Sequence, residues 1–148
     1  MSEPVRIYTI GFTKKSAERF FTTLRDAGVV RVIDTRLNNN SQLAGFSKRD
    51  DLRYFLQSIA GIGYEHLSEL APTAELLAAY RKAKDGWAEY ETAFLALMQE
   101  RKIEALPREV IAGGCLLCSE DTPDHCHRRL VAEYLQRHWD EVEIVHLL

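Results

Sequence analysis

The feature that most constrains this chain is a regular alternation. Short apolar runs rich in β-branched residues are separated by longer stretches in which apolar residues recur every three or four positions. Residues 5–10 form the first run and end at Gly11. Ala17, Phe20, Phe21 and Leu24 then fall on one helical face, with Ser16 as the expected N-cap and Gly28 as the stop. A second β-branched run over 29–34 leads into a polar, turn-rich loop over 35–47, and Leu52, Phe55, Leu56 and Ile59 mark the next stripe. Gly61 and Gly63 break it before a short strand over 64–67. Pro72 and Thr73 open a helical pair, with Leu76, Leu77 and Tyr80 on the first member and Trp87, Tyr90, Phe94, Leu97 and Met98 on the second. Residues 110–112 and 115–118 flank Gly113 and Gly114 and read as one bulged strand. Thr122 and Pro123 supply a cap and a first-turn proline for a last helix carrying His127, Leu130, Val131, Tyr134 and Leu135 on one face, and residues 142–146 form a last strand.

Strand following helix from end to end predicts a layered α/β fold: a single three-layer, Rossmann-like domain over 1–148, with a mostly parallel sheet of about five strands and helices on both faces. In such sheets ligands bind beyond the carboxyl ends of the strands. Residues just after each strand therefore carry most of the functional information.

Composition narrows the classes. The chain has 148 residues, 46% of them hydrophobic, enough for a substantial core without disulfides or a structural metal. Three cysteines, an odd number, and no basic-then-apolar start point to reduced thiols in the cytoplasm. No apolar run approaches the roughly 20 residues that span a bilayer. A net charge of −3 gives no general attraction to nucleic acid. Lys14, Lys15, Lys48, Arg49 and Arg53 nevertheless form a local basic set through which nucleic acid could be a partner.

The densest chemistry is Cys115-Leu116-Leu117-Cys118 followed by Cys126-His127-Arg128-Arg129. The first four residues look like a CxxC chelating motif, but on a strand residues three apart point to opposite faces, so Cys115 and Cys118 diverge. Cys115 reads as core. Cys118 at a strand end and Cys126 in the first turn of the next helix form the better pair, with His127 beside them. A thiol at a helix start near Arg128 and Arg129 is biased toward thiolate, making Cys126 a candidate nucleophile or metal ligand. Cys118, Cys126 and His127, with His66, His125 or Glu120 as a fourth ligand, could hold Zn or Fe. The plainer alternative is a core cysteine and a buried histidine hydrogen-bonded to a carbonyl. Named cysteine mechanisms fit poorly: the sixth residue after Cys126 is Ala132, not the arginine of a phosphatase loop.

Other strand ends add candidates. The turn from Gly11 through Thr13 to Ser16 could receive an anion at a helix N-terminus. Asp34 directly follows an apolar run, and Arg36 two residues later could pair with it or with an anionic ligand, with Asn38 nearby. Asp34 would orient an arginine or act as a base. His66 reads as core or as a metal ligand.

Thr9-Ile10-Gly11, Asp34-Thr35-Arg36, Gly63-Tyr64-Glu65-His66-Leu67, Leu116-Leu117-Cys118-Ser119-Glu120 and Cys126-His127-Arg128-Arg129-Leu130 together resemble the bacterial family called domain of unknown function 488. The resemblance runs along essentially the full chain and is most specific at the C-terminal Cys and His motifs. It implies a small cytosolic α/β domain and supplies no reaction. Phe12, where histidine is frequent, and the Asn-rich segment over 37–42, where a Pro/Ser/Arg-rich loop is usual, depart from the family pattern and imply a subfamily with a different ligand.

The leading expectation is an enzyme acting on an anionic small molecule, nucleotide or nucleic acid. Cys126, His127, Cys118 and Asp34 would be its reactive groups, and Gly11, Thr13, Arg36, Asn38 and Arg128 its binding groups. The alternatives are a non-catalytic metal- or nucleotide-binding module, and a thiol redox sensor using Cys118 and Cys126.

Overall fold

The computed structural model describes residues 4–38, 45–83, 86–120 and 122–148. The segment 39–42 of the Asn-rich loop lies outside the described residues. Five strands, β1 (Val5–Gly11), β2 (Arg31–Asp34), β3 (Gly63–His66), β4 (Gly114–Cys118) and β5 (Val142–His146), form one sheet in the order β3-β2-β4-β1-β5. Every pairing is parallel. Helices α1 (Ala17–Ala27) and α2 (Arg49–Phe55), the latter continued by a π turn over Leu56–Ala60, lie in the crossovers that run toward β3. Helices α3 (Ala74–Lys82), α4 (Trp87–Arg101), α5 (Arg108–Ile111) and α6 (His127–His138) lie in those that run back toward β5. Right-handed crossovers travelling in opposite directions along a sheet must cover opposite faces, which produces three layers.

Strand alternation sorts the core accordingly. Tyr8, Ile10, Val32, Cys115 and Leu117 pack with Phe20, Phe21 and Leu24 of α1 and with Leu52 and Leu56. Ile7, Ile33 and Leu116 pack with Tyr90, Phe94 and Met98 of α4 and with Leu130, Val131 and Leu135 of α6. Burying both faces explains why the central strands read as unbroken apolar runs rather than as alternating ones. Ser16 caps α1 by accepting from the Arg19 N–H, and Gly28 ends it at φ 78°, as the sequence predicts.

Two local expectations are corrected. Residues 110–112 do not begin a strand: Arg108–Ile111 is a helical turn, and Gly113, at φ 74°, redirects the chain into β4. Pro107 at the N-cap presets that turn, and Ile111 is buried beneath it. The last helix does not start at Pro123. The Cys126 N–H donates to the Pro123 carbonyl at 3.3 Å, closing a turn, and Cys126 becomes the N-cap with extended backbone (φ −136°, ψ 137°).

The register places the site. Asp34 stands opposite Leu117 and His66, and Gly11 opposite Cys118, so these strand ends share one edge of the sheet. The connections leaving the neighbouring strands β2 and β4 depart to opposite faces. A crevice opens between their ends, at the point where the strand order reverses.

Candidate functional site

Cys118 closes β4, and Cys126 and His127 open α6. All three are buried, and their ligating atoms lie within 4.8 Å of one another. The Cys118 and Cys126 sulfurs are in contact, with Cα atoms 7.0 Å apart, just beyond the roughly 4.4–6.8 Å usual for a disulfide. His127 Nδ1 is 3.4 Å from Cys118 Sγ. Its Nε2 lies 2.7 Å from the Thr35 carbonyl oxygen and 3.0 Å from Thr35 Oγ1. A carbonyl can only accept, so Nε2 carries the proton and Nδ1 presents its lone pair toward the sulfurs. Thr35 is itself tied down, its hydroxyl donating to the Leu117 carbonyl at 2.7 Å. Burial pushes the His127 pKa down to about 4 and the Arg128 charge adds to this, while the Thr35 carbonyl and Asp34 pull the other way. The imidazole is therefore neutral at pH 7. A neutral imidazole whose far nitrogen is bonded to a carbonyl is the usual state of a metal-binding histidine.

Cys115 is fully buried on the opposite face, with its thiol pKa pushed up by burial. The CxxC spacing is thus no chelating motif here, as strand geometry predicts.

Beside the sulfurs stands a second network. Arg36 Nε and Nη2 each donate to Asp34 at 2.8 Å, and the Arg36 backbone N–H adds a third bond at 3.1 Å. The Tyr64 hydroxyl donates to the same carboxylate at 2.6 Å. Arg36 Nη2 also donates to the Ser47 carbonyl at 2.7 Å, and the guanidinium lies over the Phe12 ring, 5.3 Å from its centroid. Asp34 thus receives four hydrogen bonds, three of them from Arg36, whose guanidinium it orients. His66 faces this network: its Nε2 is 2.9 Å from the Arg36 carbonyl, and His66 is not a member of the Cys/Cys/His group.

A cavity of about 340 Å³ opens over both networks. Arg36, Asn38, Cys118, Cys126 and His127 line it, as do Glu120 and His125. Asp34 and His66 lie in the network without lining the cavity, and three further sequence candidates belong to neither. The Thr13 N–H and hydroxyl both donate to the Ser119 carbonyl. Gly11 has no room for a side chain, since a Cβ would stand 1.5 Å from the Glu120 carbonyl oxygen. Arg128 is fully buried, with Nη1 donating to that same oxygen at 2.6 Å. These three hold the 119–120 turn against the end of β1 and do not line the cavity.

Sequence reasoning missed the far wall, where Tyr80 and Arg81 of α3 and Trp87 and Tyr90 of α4 line the cavity. Trp87 stacks on Tyr90 with centroids 5.3 Å apart and on His125 at 4.9 Å. Their helical spacing reads equally well as core. The available signal is the density of aromatic residues over 80–94, in the one long crossover that returns across the carboxyl edge.

Fold and site together define a three-layer α/β protein with a buried Cys/Cys/His group beneath a cavity at the carboxyl edge of its sheet. More particularly, the chain belongs to the DUF488 family, described as a domain of unknown function, which matches residues 16–135. No curated protein and no solved structure gives a significant match. Among the described residues, no helix is long and apolar enough to cross a membrane.

Proposed function

We propose that this protein is an enzyme acting on a small anionic molecule at a mononuclear zinc centre. Cys118, Cys126 and His127 are its protein ligands, and the fourth position faces the cavity. The observation that carries this reading is the convergence of two sulfurs and one committed imidazole nitrogen within 4.8 Å among residues that line a cavity. Soft thiolates with imidazole suit zinc, and three protein ligands with one position left for water or substrate is the pattern of catalytic rather than structural zinc. A bound ion there would polarise a carbonyl or lower the pKa of a water to about 7. The remaining roles fall to the chain. Thr35 holds the His127 tautomer, and the Tyr80–Trp87–Tyr90 wall limits solvent access. Arg36 receives the anion, and Glu120 and His125, exposed among the lining residues, can carry protons.

Elemental analysis of protein purified anaerobically under reducing conditions tests this. The expected result is about one zinc per wild-type chain, lost in Cys118→Ser and in His127→Gln. A metal-free wild-type chain would contradict it. A second reading, a reversible thiol switch, is favoured by the contact between the two sulfurs. In it Cys118 and Cys126 give two electrons and two protons to hydrogen peroxide, forming one S–S bond and two waters. Thiol counting after mild peroxide treatment of the metal-free protein would then find Cys115 alone.

A further inference from the structure

We infer that the molecule this cavity receives is a small, singly charged carboxylate with an apolar, ring-sized body, recognised by Arg36 Nη1. The inference rests on reading the cavity as the substrate site. Arg36 is only 4% exposed, and Nε and Nη2 are taken by Asp34 and Ser47. Nη1, on the side of the guanidinium away from Asp34, is buried and has no hydrogen-bond partner among the described residues. A buried donor on a charged group left without an acceptor has lost its hydration with nothing in return. Every other part of this network is satisfied, and Arg36 lines the cavity. The missing acceptor is therefore assigned to the ligand.

Charge and size select among anions. The Arg36 charge is already offset by Asp34, and the lining also holds one residue of each sign, Arg81 and Glu120. Two thiolates would likewise offset a divalent ion. Such a cavity is neutral overall, so every further negative charge on a ligand goes uncompensated, and a monoanion is disfavoured less than a phosphate monoester at about −1.5 to −2 near pH 7. A volume of about 340 Å³ sits at the low end of the roughly 300–1,000 Å³ of ligand cavities, too small for a dinucleotide. Leu77, Tyr80 and Trp87 offer the body of the ligand an apolar wall. Asp34 acts here as a positioning residue, because it fixes which guanidinium nitrogen faces the ligand.

Calorimetric titration of the zinc-supplemented protein with benzoate, and separately with phenyl phosphate, tests the assignment. Benzoate should saturate one site, and phenyl phosphate should bind no tighter. Arg36→Gln should weaken benzoate about tenfold or more without changing zinc content. Because that variant strands the buried Asp34 carboxylate, the paired variant Asp34→Asn with Arg36→Gln is measured beside it and should show the same loss. The absence of saturable benzoate binding, wild-type affinity for benzoate in both variants, or phenyl phosphate binding tenfold tighter would each overturn the inference. Arg36-dependent benzoate binding in a chain that takes up no zinc would overturn the metal centre and leave the carboxylate site standing.

Discussion

The imidazole of His127 is committed before any ligand arrives. Its Nε2–H is held by Thr35 and its pKa is pushed down to about 4 by burial, against the ordinary value of about 6.5. Between those two values the unfolded chain binds a proton that the folded chain refuses, so stability rises with pH there. In metal-free protein, urea unfolding should show full stability above pH about 6.5 and a decline as pH falls toward 4, reaching at most about 3 kcal/mol. His127→Gln should flatten that slope. An unchanged slope would place the proton elsewhere. Gly11 makes a second residue-scale case, because its backbone torsions are ordinary and it is the Glu120 carbonyl, with Arg128 Nη1 behind it at 2.9 Å, that excludes a side chain. Gly11→Ala should cost about 3 kcal/mol in urea unfolding, as forced overpacking does. A loss below about 0.5 kcal/mol, the range of ordinary surface changes, would show that the 119–120 turn yields freely.

Among the elements, α6 is the one whose sequence signals mislead. Thr122-Pro123 looks like a helix start, yet the helix begins only at His127, behind an N-cap cysteine that makes no side-chain capping bond. Serine caps well and cysteine does not. A cysteine at this N-cap is consistent with the metal-ligand role proposed for Cys126. In metal-free protein Cys126→Ser should raise stability by up to about 1 kcal/mol, as the hydroxyl takes a share of the Arg129 N–H, which now donates to the Cys126 carbonyl at 3.2 Å, while zinc is lost. Destabilisation of the metal-free variant would instead make Cys126 a packing residue. Helices α3 and α4 show the opposite failure. Their stripes were readable as helices, but periodicity cannot tell a face that meets the core from one that walls a cavity.

Over the whole molecule, the alternation of runs and stripes sufficed for the class of fold, and the carboxyl-end rule for bringing Asp34, Arg36 and Cys118 to one edge of the sheet. What stayed hidden was long-range pairing. Thr35 and His127 meet because β2 lies beside β4, a neighbour relation that no local pattern encodes. The same holds for Gly11, Thr13 and Arg128, which look like anion-binding residues in sequence and become braces once β1 and the 119–120 turn are brought together.

The central claim, a Cys118–Cys126–His127 metal centre with one position open to the cavity, is tested most directly by cobalt substitution. The Co(II) protein should show intense four-coordinate visible bands and thiolate-to-cobalt charge transfer. Both should be lost in Cys118→Ser with Cys126→Ser, and the visible bands should shift when azide enters the open position. Weak six-coordinate bands without charge transfer, identical in wild type and the double variant, would contradict it.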